Sequence, residues 1–412
     1  MLRIIKSSNR RIVNRLIERR ISNDDTVKRY VSQIVRNVRR GGDKVLLKYA
    51  RRFDRLSAPI EITQEEIREG AHQTPSNVRT AIKTSARHIR MVARKQLPRN
   101  WRTTVMRGVS VETNIRPLDR VGCYVPGGRY PLPSSLLMTA VPAQVAGVPD
   151  IIAVCPRPEP AVLSAALEAG VTRLFRIGGA HAIAALAYGT ETIPNVDKIV
   201  GPGNVYVSTA KAQVSTHCAI DFYAGPTEIV IISRKGNPEW LAADLIAQAE
   251  HDPSARAILL TPNRQLAIQV ARKTLDRLPR SGPARLALRR NGAIITTRDL
   301  REATDLANQI APEHLVCDEE KVAKAITRAG TIFVGHYSAQ AAGDYATGSN
   351  HVLPTNGSAR FRGGLSAADF VRVNSLQRLT NAGLTGLAET AMVLARAEGL
   401  NAHAESIRVR LK

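Results

Sequence analysis

VGCYVPGG, residues 121–128, reads as a short apolar strand that runs into a proline and two glycines. The unit recurs. Residues 151–155 form another apolar run, 174–177 a third that stops at Gly178 and Gly179, and 198–200 a fourth that stops at Gly201, Pro202 and Gly203. Helical patterns separate these runs, and such alternation predicts parallel strands with crossover helices, with ligands gathered at the carboxyl ends of the strands. A second alternation begins at 228–233 and continues through 257–261, 293–297, the 312–315 segment and 331–334. The expected fold class is therefore α/β. The chain divides into an N-terminal helical region (1–100), a first α/β domain (101–235), a second (236–355) and a C-terminal tail (356–412) with little core of its own. In the first region Val31, Ile34, Val35 and Val38 repeat at helical spacing, and Gly41 and Gly42 stop that helix.

The glycine-rich strand ends invite a dinucleotide reading, but no GxGxxG follows a strand with an acid about 20 residues on, and 201–204 departs at the third glycine. Taken singly such a loop is more often a tight turn than a phosphate cradle; three at adjacent strand ends raise the cradle reading somewhat.

Chemistry concentrates elsewhere. In AQAEHDP, residues 247–253, Gln248 and His251 lie three apart at the end of a helix that begins with Asn237 as cap and Pro238 at its first position. Two ligands do not close a metal shell, and a polar helix end is the plain alternative. Three further places answer it: Glu313 with His314 after Pro312, Asp344 with His351, and Glu398 with His403. Adjacent Glu313 and His314 put two acid–base groups on one turn, which suits chemistry with two proton transfers. Gln, His, Asp and His can fill a zinc site together with donors from a substrate. His72, His88, His217 and His336 have no such setting and read as surface or core residues.

Composition narrows the class. The 412 residues, 44% apolar, suffice for two cores, and the formal charge of +24 is extreme. Residues 1–52 carry 16 Lys and Arg against 4 Asp and Glu, spread along helical patterns as solvated faces rather than as a tail. Aromatics make up only 4%, which counts against a stacking platform for single-stranded nucleic acid. Cys123, Cys155, Cys218 and Cys317 are far apart and form no CxxC pair, so neither a zinc knuckle nor a disulfide framework is expected. No apolar run has the length of a membrane span. The first 17 residues are basic and acid-free but poor in small and hydroxylated residues, and a cytoplasmic location is expected.

These residues sit inside longer literal motifs: YVPGGRYPLPSS (124–135), GPGNVYV (201–207), AGPTE (224–228), AQAEHDP (247–253), APEHL (311–315), GDYATGSNHVLPT (343–355), RFRGGLSAADF (360–370) and EGLNAH (398–403). In that order they make the chain resemble the histidinol dehydrogenase family, from about residue 20 onward. The resemblance implies two incomplete Rossmann-like domains with small N- and C-terminal pieces, in an intertwined homodimer. It implies one zinc per subunit held by Gln248, His251, Asp344 and His403, the last supplied by the neighbouring subunit, which would explain the coreless tail. Glu313 and His314 match the catalytic pair. Thr227, His351 and Glu398 match substrate-holding positions, shared with Gln248, His251, His314, Asp344 and His403. Tyr124 and Asn204 match NAD-contacting positions. A third such position, usually Gln, is His181 here, which can still make one hydrogen bond. Phe222 and Tyr223 are bulkier than the pattern, which bears on pocket shape.

The implied reaction is the oxidation of L-histidinol through histidinal to L-histidine with two NAD. His314 would take the alcohol proton and Glu313 would activate water on the aldehyde. Two rival classes differ in kind: a related dehydrogenase for another alcohol, against which the Glu398 and His403 context argues, and a nucleic-acid-binding protein, suggested by charge alone. Neither nucleic acid nor membrane is expected as a partner.

Overall fold

A computed structural model describes residues 2–17, 25–127, 131–223 and 225–411. Gly128 of the first strand end and Ala224 of the AGPTE motif lie outside the described residues. Two six-stranded sheets carry the fold.

In the first sheet the strand Arg120–Tyr124 is central, with Asp150–Val154 and then Arg173–Phe175 on one side and Lys198–Val200 and then Ala219–Ile220 on the other, all parallel. The chain thus reverses its direction of winding between Arg120–Tyr124 and Lys198–Val200, the switch point at which a doubly wound sheet opens a crevice beyond its carboxyl ends. The strands are buried on both faces, as parallel strands covered by helices must be. Val121, Cys123, Ile151 and Ala153 face one core, and Tyr124, Ile152 and Val154 face the other. N-terminal helices supply the covers. Asp25–Tyr49 packs on Gly179–Tyr188 and Val205–Val214, while Ser76–Gln96 packs on Pro133–Ala146.

The second sheet repeats the order. Glu228–Ile232 is central, with Arg256–Thr261 and Ala293–Thr296 on one side and His314–Cys317 and Thr331–Val334 on the other. Residues 221–227 connect the carboxyl edge of the first sheet to the amino edge of the second.

The sequence reading needs three corrections here. The N-terminal region is not purely helical. Arg3–Lys6 adds a parallel edge strand beside Ala293–Thr296, and Glu61–Ile62 pairs antiparallel with Arg173–Phe175. Gly42, at φ 49°, kinks the helical stretch that begins at Asp25, yet helix resumes at once and runs to Tyr49. Residues assigned to the first domain and to the tail combine in a third sheet: the hairpin of Arg102–Met106 and Val109–Pro117 is extended by Val371–Leu379.

Of the tail, Leu365 and Phe370 join the core of the first sheet, and little is buried beyond Val371–Leu379. The helices Asn381–Ala397 and Asn401–Arg408 pack on each other and bury only Gly383, Ala388 and Ala404, leaving Val393, Leu394, Leu400 and Val409 exposed. Among the described residues, no helix is long and apolar enough to cross a membrane.

Candidate active site

Glu313 and His314 enter the fold at the start of the strand His314–Cys317, and Thr227 immediately precedes Glu228–Ile232. In the register of the two strands His314 lies opposite Ile229. These residues therefore occupy the amino edge of the second sheet. The expectation that all ligands gather at carboxyl ends fails for this half of the molecule, because the motifs precede their strands instead of following them. The helix Pro238–Ala249 runs back toward the same edge and delivers Gln248 in its last turn. The helix ends at Ala249 with Glu250 as cap, so His251 stands just beyond it, exposed.

One hydrogen-bonded chain organises the edge. The Thr227 hydroxyl donates to Glu313 Oε2 at 2.5 Å, and the Glu228 backbone N–H donates to the same oxygen at 2.9 Å. With its single proton directed at the carboxylate, the Thr227 hydroxyl accepts from Gln248 Nε2. The amide of Gln248 is thereby oriented, and Gln248 Oε1 is buried without a partner. His314 Nδ1 lies 3.2 Å from the Glu228 carbonyl oxygen, which can only accept, so Nδ1 carries the hydrogen and Nε2 the lone pair. His314 Nε2 is the second buried atom here without a partner, 3.9 Å from Asp344 Oδ1. Buried acceptors left unpaired cost stability unless something else binds them.

Asp344 sits near the end of the helix Gln340–Tyr345, where Gln340 Nε2 donates to its Oδ2 at 2.6 Å. Its carbonyl oxygen accepts from His351 Nδ1 at 2.9 Å, which leaves His351 Nε2 as an acceptor. Burial pushes the Glu313 carboxyl up to about 7 against the pull of the Thr227 and Glu228 donors. Burial likewise pushes His314 down to about 4, and the His351 ring down to about 4. Asp344 is raised, again chiefly by burial. His251 lies close enough to Glu313, His314, Asp344 and His351 to influence each electrostatically, so it belongs to the same neighbourhood.

The fold thus brings together Thr227, Gln248, His251, Glu313, His314, Asp344 and His351. Glu398 and His403 are exposed on the tail, and among the described residues no hydrogen bond or ion pair joins either to this edge. No three His, Cys, Asp or Glu side chains cluster as a metal site among the described residues. Gln248 Oε1, His251 and Asp344 are nonetheless donors of the kinds that zinc accepts.

The nucleotide candidates lie at the carboxyl edge of the first sheet. Tyr124 ends its strand, and its phenol oxygen accepts from the Gly179 N–H at 3.1 Å. Asn204 caps the helix Val205–Val214, its side chain accepting from the N–H groups of Tyr206 and Val207. His181 is buried, its Nε2 2.7 Å from Asp54 Oδ2, an oxygen that also accepts from the Gly178 N–H. Asp54 was not singled out from sequence; an acid at a helix end reads as solvated until the fold closes over it. The same holds for Glu228, whose buried carboxylate lies 3.2 Å from Arg256 Nη1. All four cysteines are free and buried, and burial pushes the Cys123 and Cys155 thiols up to about 12.

Comparison with known proteins identifies the family. A histidinol dehydrogenase family model matches residues 17–411. A histidinol dehydrogenase of Nitrosomonas europaea is 45% identical over 413 residues, covering 97% of this chain and 96% of that one. One of Methanothermobacter thermautotrophicus is 43% identical over the full length of both. The crystal structure of histidinol dehydrogenase from Elizabethkingia anophelis superposes with a TM-score of 0.94 at 33% identity, covering 100% of this chain and 98% of that one.

Proposed function

The chain belongs to the histidinol dehydrogenase family, and from that membership we propose that it oxidises L-histidinol through histidinal to L-histidine with two NAD, using one zinc per subunit. The observation that carries the reading is the pair of buried, unpartnered acceptors among the described residues, Gln248 Oε1 and His314 Nε2, on side chains joined through Thr227, Glu313 and Glu228 in one hydrogen-bonded chain. Gln248, His251 and Asp344 of one chain with His403 of a second would hold the zinc; bound there, zinc would template the substrate through its amine and imidazole nitrogens, while NAD accepts hydride at each oxidation.

The protein groups divide the proton chemistry. His314, neutral and with Nδ1–H tied to the Glu228 carbonyl, presents its Nε2 lone pair and takes the substrate hydroxyl proton as the C–H bond breaks. Glu313 has Oε2 fixed by Thr227 and Glu228, which leaves Oε1 to take a proton from the water that adds to histidinal. His314 returns its proton to the aldehyde oxygen as that water adds, and is then free to take a proton from the resulting hydrate in the second oxidation. His351, Glu398 and Thr227 would hold the substrate.

NAD would lie beyond the switch point of the first sheet, over Tyr124, His181 and Asn204. The exposed apolar residues of the tail support an intertwined homodimer in which Glu398 and His403 complete the partner subunit's site. A cytoplasmic location fits the free cysteines. The direct test is NADH formation from L-histidinol with metal analysis. Two NADH per histidinol are expected, and a single NADH with accumulating aldehyde would overturn the four-electron assignment.

A further inference from the structure

A buried ion pair lies away from the reacting groups. Lys211, in the second turn of Val205–Val214, and Asp221, just beyond Ala219–Ile220, are exposed by only 2% and 1% and pair directly. What they share is Gly201. Asp221 Oδ2 accepts the Gly201 N–H at 2.8 Å, and Lys211 Nζ donates to the Gly201 carbonyl at 3.0 Å. Asp221 Oδ1 also accepts the Phe222 N–H at 2.6 Å.

Gly201 needs such a hold. Its φ of +121° lies where residues with side chains are strained, and a Cβ would collide with the Tyr124 carbonyl oxygen. The chain turns sharply off the strand Lys198–Val200 here, so neither polar group of Gly201 can continue the sheet, and both are met by buried charges. A buried ion pair is a poor stabiliser compared with apolar side chains of similar volume, so its retention calls for a geometric reason.

We infer that Lys211 and Asp221 are positioning residues for the nucleotide: by clamping both polar groups of Gly201 they set residues 201–204 and aim the N-terminus of Val205–Val214 at the switch-point crevice. The inference rests on the proposed placement of NAD. Lys211 belongs to the helix it helps to aim, so the clamp fastens that helix to the loop immediately before it. Asp221 extends the hold to the C-terminal segment, because its carbonyl accepts from Arg362, whose guanidinium lies over the Phe222 ring.

The test compares two double variants of the full-length, zinc-loaded protein. Lys211→Met with Asp221→Leu removes both charges together and leaves neither unpaired. Lys211→Gln with Asp221→Asn is also neutral but keeps a donor and an acceptor for Gly201. NADH affinity is read by fluorescence titration, histidinol affinity by calorimetry, and KM for NAD separately from kcat. The Met/Leu variant is expected to bind NADH at least about tenfold more weakly, with KM for NAD raised alike and histidinol affinity within about twofold. The Gln/Asn variant should recover most of the loss. A folded Met/Leu variant with unchanged NADH affinity, or equal losses for NADH and histidinol, overturns the inference. Should the Met/Leu variant fail to fold, Asp221→Asn alone decides, with weaker NADH binding and unchanged histidinol binding expected and unchanged NADH binding overturning it. Asn204→Ala separates the two levels. If it weakens NADH binding while the clamp variants do not, only the clamp fails; if it and the clamp variants are all without effect, the placement of NAD fails as well.

Discussion

His314 donates its Nδ1 hydrogen to the Glu228 carbonyl oxygen 3.2 Å away, and the same residue's N–H donates to Glu313 Oε2 at 2.9 Å. The backbone groups of a single residue on the central strand thus orient both candidate proton carriers. Orientation of this kind fixes a tautomer, and a tautomer decides whether an imidazole can act as a base. His314→Asn should therefore slow oxidation of histidinol and of directly supplied histidinal, since each step removes a hydroxyl proton. The expected loss is about a hundredfold to ten-thousandfold, read from initial rates of NADH formation after zinc content and dimer state are shown intact. A variant impaired on only one of the two substrates would contradict the shared role.

Metal content follows from the unpartnered amide oxygen. Among the described residues Gln248 Oε1 has no protein donor, and its Nε2 is committed to Thr227, so the side chain cannot turn to satisfy itself without breaking that bond. The protein is expected to hold about one zinc per subunit, and His251→Ala to lose it. Elemental analysis after dialysis checks this independently of activity. Full zinc occupancy in His251→Ala would remove His251 from the ligand set.

Glu398 and His403 project from helices that bury almost nothing within their own chain. If they serve the partner, an inactive His403→Ala subunit and an inactive Glu313→Ala subunit should complement, because each hybrid dimer regains one site with both residues intact. Random exchange at equal amounts predicts about a quarter of the wild-type activity. No recovery after exchange is demonstrated by mass spectrometry would place the whole site within one chain.

Much of the fold was legible because parallel strands covered on both faces appear as short apolar runs, and those runs fall within a residue or two of the observed strands. The edge that carries the candidate site was legible in a different way. Glu313 and His314 come before LVC, and Thr227 before IVII, so the order of motif and strand already pointed to the amino edge. The general rule about carboxyl ends obscured it. The third sheet left no such trace. Val371–Leu379 is exposed along nearly all its length and pairs with Val109–Pro117 some 260 residues earlier, so no apolar alternation marks it. Lys211 was hidden for the opposite reason, since a lysine on a helix reads as solvated until a distant aspartate is folded against it.

The N-terminal strand depends on a carboxylate whose state can be tested. Ser7 Oγ donates to Glu302 Oε2 at 3.0 Å, and the Arg298 N–H donates to the same oxygen at 2.8 Å. Burial alone would raise Glu302, but the Arg298 N–H, the Ser7 hydroxyl and the Arg298 charge together hold it below the usual carboxylate range. A depressed folded value means that the ionised form stabilises the native state. That contribution is complete above the unfolded pKa of about 4.3 and is lost as pH falls through the folded value. Glu302→Gln should therefore be less stable at pH 7, by about 1–3 kcal/mol, the scale of hydrogen bonds to a charged group. The gap should narrow as pH falls below the unfolded value and through the lower folded one. Thermal unfolding of both proteins across that range checks the sign; a gap that widens toward acid would reverse it.

Glu313 separates the two half-reactions. Its Oε2 is held by Thr227 and Glu228, and its proposed role is confined to the step that needs water, because alcohol and aldehyde share one oxygen while the acid needs a second, which water supplies. Glu313→Gln keeps the shape and an acceptor for Thr227 but cannot take a proton from water. It should slow NADH formation from histidinal by about a hundredfold or more while the first oxidation of histidinol falls far less, so that histidinal accumulates when histidinol is supplied. Single-turnover measurement with limiting NAD isolates the first hydride transfer, and trapping the aldehyde with a hydrazine reports the intermediate directly. Substitution by Asp, which retains a carboxylate but draws it back by one methylene, should recover part of the second step and leave the first unchanged. Equal losses on both substrates in Glu313→Gln, with zinc retained, would reassign water activation to another group and leave Glu313 as the residue that orients Thr227.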